Sequence, residues 1–345
     1  MKVLISLEPN IKKDNFESSR LCKSIRGALE LADISHTSSG LEDYDVAHLI
    51  SPEEDGVANE VIEKGKPLIV SALMCENDPN ASFLDFKYKD GVIENVLSTK
   101  AVKYLNKASR ILVPCESARL FLKENKIITD ITVLPPGVNL STFDFERQEE
   151  KELFYRYFRE EKNKKLVIAV GEYDSLEGIN AFIEAGKKCP NAVFYFFGHA
   201  SSNVKMNHRI KKLIKKAPKN LKFNEMVPND IYRSALMNAS IFMLPGYKKA
   251  GFVSLLEAMA AKCQLIVREQ ALFPNLLVDG ETAYIAQFSE TLASLTKDFL
   301  DGKLRETTLK AYELAKKASL TEIGERLHLI YQQEMNYKKT IGGNV

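Results

Sequence analysis

Short runs of Val, Ile, Leu and Phe alternate along this chain with longer stretches in which apolar side chains recur every three or four positions. The first pattern is that of strands buried on both faces and the second that of helices with one covered side. Their alternation predicts parallel sheets with helical crossovers. In the first half the strand candidates are KVLISL at 2–7, DVAHLI at 45–50, PLIVSA at 67–72, RILVP at 110–114 and ITVLP at 131–135. Between the first two, residues 17–34 place Leu21, Ile25, Leu29 and Leu31 near one helical face. The pattern breaks at 136–164 into a Pro-Gly turn and a highly charged stretch, which predicts a domain boundary with a surface helix in it. A second series follows, with strands at 165–173, 192–198, 220–224, 239–245, 263–269 and 282–287. The expected division is a Rossmann-like domain at 1–147, a linker helix at 148–164, a second Rossmann-like domain at 165–307 and a helical tail at 308–345.

Length and composition agree with two domains and add exclusions. A chain of 345 residues with 45% apolar and 27% charged residues is ordinary for a globular protein with two cores. The net charge of +2 is too small to draw in an anionic partner by itself, so any such attraction must come from a local patch. Five scattered cysteines, with no C-x-x-C pair, argue against a disulfide framework or a structural zinc site. The opening MKVLISLEPN turns polar after six residues, and no later run reaches the length of a membrane span. The expected setting is therefore cytoplasmic.

Ligands of open parallel sheets bind beyond the carboxyl ends of the strands, and four strand ends in the second half carry distinctive content. These are VGEYDSLEGI at 170–179, FFGH at 196–199, LPGY at 244–247 and LLEAMAAK at 255–262. In this order the second half resembles the donor domain of family-4 glycosyltransferases. In the first half DYDVAHL at 43–49, ASRILVPCES at 108–117 and LPPGVNLSTF at 134–143 resemble bacterial hexosyltransferases that extend glucosyl-diacylglycerol. The resemblance implies the GT-B fold: two doubly wound α/β domains facing a cleft, with the C-terminal helix packing back on the N-terminal domain. It also implies a retaining, metal-independent transfer from a nucleotide sugar, a UDP-hexose, to a membrane glycolipid, with no further cofactor.

By the same resemblance the donor-binding positions are Gly171, Glu172, Gly198, His199, Lys248, Lys249, Gly251, Phe252, Val253 and Glu257. Glu257 matches the carboxylate that takes ribose hydroxyls, and the loop before it offers backbone N–H groups to phosphate at a helix N-terminus. Four positions depart from the family pattern. Lys249 stands where relatives have a sugar-binding glutamate, and an ammonium group only donates. Leu176 and Glu177 replace a basic pair that neutralises the diphosphate. Ser71, Ala72, Leu73 and Met74 occupy a segment that usually bears a histidine. Residues 15–24 lack a glycine-rich turn. Together these changes point to weak or absent turnover, a pseudoenzyme that binds or partners an active paralogue; the alternative is a fully active transferase.

Each residue also has a plainer reading. Glu257 fits a first-turn helix residue favoured by the dipole, and the lysine pair fits a solvated loop or a replacement for the positive charge missing at 176–177. His199 fits a structural hydrogen-bonder at a strand end. The segment 205–219 has no acid and carries Lys205, Arg209, Lys211, Lys212, Lys215 and Lys216, with Met206, Ile210, Leu213 and Ile214 at helical spacing. It reads either as a surface helix with an inward apolar stripe or as a patch for anionic lipid headgroups, peripheral on the inner membrane face. No aromatic platform accompanies it, which disfavours nucleic acid.

Overall fold

The computed structural model describes residues 1–7, 16–50, 55–72, 84–89, 92–143, 146–173, 175–199, 208–246, 251–269 and 276–342, with backbone alone at 16–18, 55, 84–89, 92–95, 172, 199 and 338–342. The chain divides into two compact units, residues 1–137 with 318–345, and residues 138–317.

Unit 1 is built on a parallel six-stranded sheet of order β2-β1-β3-β4-β7-β8. Its strands are β1 (Lys2–Ser6), β2 (Ser35–Thr37), β3 (Val46–Leu49), β4 (Leu68–Ser71), β7 (Arg110–Val113) and β8 (Ile131–Val133). A separate antiparallel hairpin joins β5 (Leu84–Lys89) and β6 (Val92–Leu97). The helices are α1 (Phe16–Leu31), α2 (Asp55–Glu63), α3 (Thr99–Leu105), α4 (Glu116–Glu124) and, from the far end of the chain, α12 (Leu320–Gly342). Strand β3 and strand β4 are buried along their whole length, which is why they read as apolar runs, broken only by His48 in β3 and ended by Ser71 in β4. On α1 the covered face is Leu21, Cys22, Ile25, Ala28 and Leu29, whereas Leu31 is 59% exposed: it lies outside the stripe that these five define.

The last helix closes this unit. Leu320, Ile323, Leu327, Ile330 and Tyr331 of α12 join the core formed by β1, β3 and α1. Close approach of the two helices depends on Gly324, where an added Cβ would stand 2.4 Å from the carbonyl oxygen of Ala28. Polar links reinforce the seam. Glu334, almost fully buried, accepts from Arg110 Nε at 2.6 Å, and Arg326 donates to the Val133 carbonyl at 2.7 Å. His48, wholly buried in β3, has one ring nitrogen 2.7 Å from the Tyr331 hydroxyl and the other 2.7 Å from Ser71 Oγ. The C-terminal helix thus packs back on the N-terminal domain, as expected.

Unit 2 carries a second parallel sheet of order β11-β10-β9-β12-β13-β14. The strands are β9 (Leu166–Glu172), β10 (Val193–His199), β11 (Leu221–Glu225), β12 (Ala239–Leu244), β13 (Gln264–Arg268) and β14 (Tyr284–Ala286). Counted within the unit this is the order 3-2-1-4-5-6, in which the winding reverses between β9 and β12. Around it lie α5 (Gln148–Phe158), α6 (Leu176–Lys188), α7 (His208–Lys215), α8 (Asn229–Asn238), α9 (Phe252–Ala260), α10 (Ser289–Leu300) and α11 (Thr308–Lys317). The charged helix α5 has one fully buried ring, Phe154, stacked edge-on with Tyr195 at 4.9 Å between centroids, and its backbone N–H donates to Ser234 Oγ of α8 at 2.9 Å. The sequence at 308–345 divides between the units: α11 packs on α9, and α12 on α1.

Candidate functional site at the strand ends of unit 2

The reversal point between β9 and β12 is where a sheet of this order opens a crevice for ligands. After β9 the chain passes through Ser175, whose Oγ caps α6 by accepting from the Gly178 N–H at 3.1 Å. After β12 it turns at Pro245 and Gly246. The two turns touch: a Cβ on Gly178 would meet Ser175 Oγ at 3.0 Å and the Gly246 Cα at 3.3 Å. A side chain at 178 would press the two segments a few tenths of an ångström apart. Gly251 then caps α9, its carbonyl accepting from the Leu255 N–H at 2.7 Å. The N-termini of α6 and α9 both follow these switch-point strands, a setting in which the positive end of a helix dipole favours an anion.

Helix α9 is apolar and buried, with one exception. Of its nine residues, Phe252 to Leu256 and Ala258 to Ala260 are buried, while Glu257 is only partly covered and is the single charged side chain. Glu257 stands in the second turn, and the first turn of α9 contains no acid. The dipole account of Glu257, which requires a first-turn position, is therefore overturned.

The remaining sequence candidates separate into groups. Gly171 and Gly198 face each other as register partners on β9 and β10. A Cβ on Gly171 would meet Phe196 Cζ at 2.9 Å, and one on Gly198 would meet Tyr173 Cε2 at 2.7 Å, so aromatic packing accounts for both glycines. Tyr173 itself is buried and donates to the Asn224 carbonyl at 2.8 Å; burial pushes its phenol well above the usual range, leaving a neutral donor. Glu172 and His199 are register partners at the carboxyl ends of the same strands, and their side chains lie outside the described set. Lys248, Lys249 and Lys205, like Asp174, Leu73, Met74 and Met206, lie outside the described residues. Ser71 is buried with its hydroxyl on His48, as given above, and Ala72 is buried beside it.

On α7 the inward-stripe reading holds for the apolar positions. Ile210 is fully buried, and Leu213 and Ile214 pack against the same core. Arg209, Lys211, Lys212, Lys215 and Lys216 are exposed. Among the described residues no carboxylate pairs with Lys211, Lys212, Lys215 or Lys216.

Sequence reasoning missed Arg268. It ends β13, its side chain is 0% exposed, and it donates to the Gln287 carbonyl at 2.6 Å, to Ser289 Oγ and, over a long 3.4 Å, to the Pro245 carbonyl. Its Nη2 stands 3.7 Å from Glu177 Oε1. The signal was a cation at the last position of an otherwise apolar strand. Among the described residues no cluster of His, Cys, Asp or Glu could hold a metal ion, and no helix is long and apolar enough to cross a membrane.

Comparison with known proteins fits this arrangement. Residues 151–318 match the family Glycosyl transferases group 1. The chain is 24% identical over 344 residues to the processive diacylglycerol alpha-glucosyltransferase of Acholeplasma laidlawii, covering 98% of this chain and 100% of the relative. It is 25% identical over 149 residues to the alpha-galactosylglucosyldiacylglycerol synthase of Streptococcus pneumoniae, covering 43% of this chain and 40% of that one. Among solved structures, Anabaena Alr3699/HepE in complex with UDP and glucose superimposes with a TM-score of 0.73 at 13% identity, over 96% of this chain and 100% of that one. The chain is therefore a GT-B protein that carries a Glycosyl transferases group 1 domain at residues 151–318 and is related to the diacylglycerol glycosyltransferases.

Proposed function

We propose that unit 2 binds a UDP-hexose at the carboxyl ends of β9 and β12 and that the chain transfers the hexose, with retention, to a diacylglycerol glycolipid. The observation that carries this reading is Glu257: it is the one charged, partly uncovered residue of a helix otherwise committed to the core. A carboxylate only accepts, which suits it to hydrogen bonds donated by ribose hydroxyls. The end-to-end match to a diacylglycerol alpha-glucosyltransferase supports the lipid acceptor. The exposed lysines of α7 support work on an anionic membrane surface, as a peripheral protein on its cytoplasmic face. No metal is required by this reading.

A second reading, donor binding without turnover by a subunit of an active relative, is favoured by Glu177, a carboxylate in the first turn of α6 where a cation would assist the leaving diphosphate. One experiment separates the two. Purified chain is incubated with UDP-glucose or UDP-galactose and vesicles containing glucosyl-diacylglycerol, while UDP binding is measured by calorimetry. Sustained UDP release with a longer glycolipid, its new anomeric bond matching that of the donor, establishes transfer. Binding without product establishes the second reading, and the absence of any UDP binding removes both.

A further inference from the structure

Phe288 is 67% exposed, more than any other aromatic side chain among the described residues. Its backbone is nonetheless held on both sides. The Gln287 carbonyl accepts from Arg268 Nη1 at 2.6 Å, and Ser289 Oγ accepts from Nη2 of the same guanidinium. The Phe288 carbonyl itself accepts the first bond of α10, from the Leu292 N–H at 3.0 Å. Exposed apolar residues scattered over a surface are ordinary. What separates Phe288 is that its conformation is set in advance, so a ligand stacking on the ring has little of the chain left to order.

The ring stands at the carboxyl edge of the sheet, just after β14, where ligands of parallel sheets collect. Strand β14 lies two strands beyond β12, about 10 Å at the usual spacing. The ring therefore adjoins the switch-point crevice without being part of it. Acceptors of hydrogen bonds gather at its margin. Glu177 Oε1, in the first turn of α6, is 3.7 Å from the same Nη2 that holds Ser289. Glu269, exposed, donates its backbone N–H to the Ala286 carbonyl at 3.1 Å, two residues before Phe288, and exposed Glu290 follows two residues after it. These carboxylates disfavour an anionic ligand. They suit a neutral polyol: the C–H face of a saccharide ring lies on the aromatic, and its hydroxyls donate to groups that only accept.

We propose that Phe288, with Glu177 at its margin, is a saccharide platform of unit 2 that holds the hexose headgroup of the glycolipid acceptor. This rests on the reading of the chain as acting on a glycolipid, and it gives the acceptor a place on the same unit as the donor. It also gives Glu177 a use that a diphosphate does not, since a carboxylate repels phosphate oxygens but accepts from sugar hydroxyls.

The sequence contains no tryptophan, so Phe288→Trp places a single indole on the platform. Titration with glucosylglycerol, the soluble headgroup of glucosyl-diacylglycerol, should change its emission along a saturable curve. Leu309→Trp, at a position 73% exposed in α11, should show no change. By calorimetry Phe288→Ala should weaken glucosylglycerol about fivefold and leave UDP within about twofold, as loss of one aromatic contact requires. Glu177→Ala should weaken glucosylglycerol by about fivefold as well, through the lost acceptor. Tetralysine is titrated in parallel, because acids beside an aromatic ring also suit a cation. A flat glucosylglycerol titration, equal affinities for wild type and Phe288→Ala, or a response to tetralysine in place of the saccharide would overturn the proposal. If the chain still extends the glycolipid in vesicles, only the platform falls. If it neither extends the glycolipid nor binds UDP or glucosylglycerol, the functional reading falls with it.

Discussion

The Tyr331 hydroxyl lies 2.7 Å from His48 Nδ1, across 283 positions of sequence. With Ser71 Oγ 2.7 Å from Nε2, both ring nitrogens are engaged, and one buried imidazole ties the C-terminal helix to two central strands. Tyr331→Phe would remove one partner and leave a buried ring nitrogen unsatisfied, at a cost of about 1–3 kcal/mol. Urea unfolding of the two proteins should show a lower midpoint for the variant; equal midpoints would mean that the bond contributes nothing.

The same imidazole gives stability a pH dependence of known sign. Burial lowers the His48 pKa from the ordinary 6.5 to about 3. Between those values the unfolded chain binds a proton that the folded chain excludes, so His48 favours folding fully above pH 6.5 and progressively less as the pH falls toward 3. Because one pKa unit corresponds to about 1.4 kcal/mol, the effect is on the order of a few kcal/mol. His48→Gln should flatten this part of the curve when melting temperatures are recorded from pH 7 downward. Parallel curves for both proteins would contradict it.

Glycine to alanine in a helix normally gains up to about 1 kcal/mol. Gly56 in α2, where a Cβ would meet nothing within 4 Å, should follow that rule. Gly324 should reverse it, because its Cβ would press on a backbone carbonyl that cannot move without shifting α1. We expect a loss of about 2 kcal/mol for Gly324→Ala. Matching gains for the two variants in chemical unfolding would show that α12 sits less closely than described.

Glu257→Ala tests the ribose contact. It should weaken UDP and uridine alike by about tenfold, the loss of hydrogen bonds to a charged group. It should also erase the preference for UDP over 2′-deoxy-UDP, measured by competition. A retained preference would place the ribose elsewhere.

Replacing Lys211, Lys212 and Lys215 with Glu should reduce sedimentation with phosphatidylglycerol-containing vesicles and leave zwitterionic vesicles unaffected. Each lysine near an anionic surface contributes about 1 kcal/mol, so the triple variant should lose binding by two orders of magnitude or more. Unchanged binding would return α7 to the role of an ordinary solvated helix.

The eleven strands expected from apolar runs all form, because strands buried on both faces of a parallel sheet need such runs. The strands that escaped notice are of another kind. Ser35–Thr37 is short and polar; in the hairpin β5 alternates apolar with charged residues, and Glu94 and Asn95 break the apolar run of β6. The polar residues that organise each sheet were hidden for the opposite reason. His48 and Arg268 sit within apolar runs, where periodicity registers only the run, and their partners lie far off in sequence or on backbone carbonyls. Glu257 was visible as the lone acid in an apolar segment, but its turn of the helix depended on where the cap fell, at Gly251.

The return of α12 to unit 1 orders events at the ribosome. Residues 138–317 are a contiguous unit and can complete their core as they emerge. Unit 1 begins first but must wait, with His48 and the α1 seam uncovered, until residues 320–342 have been made. Synthesis therefore finishes the second unit before the first, and throughout that interval the older half of the chain is the one exposed to proteases and chaperones.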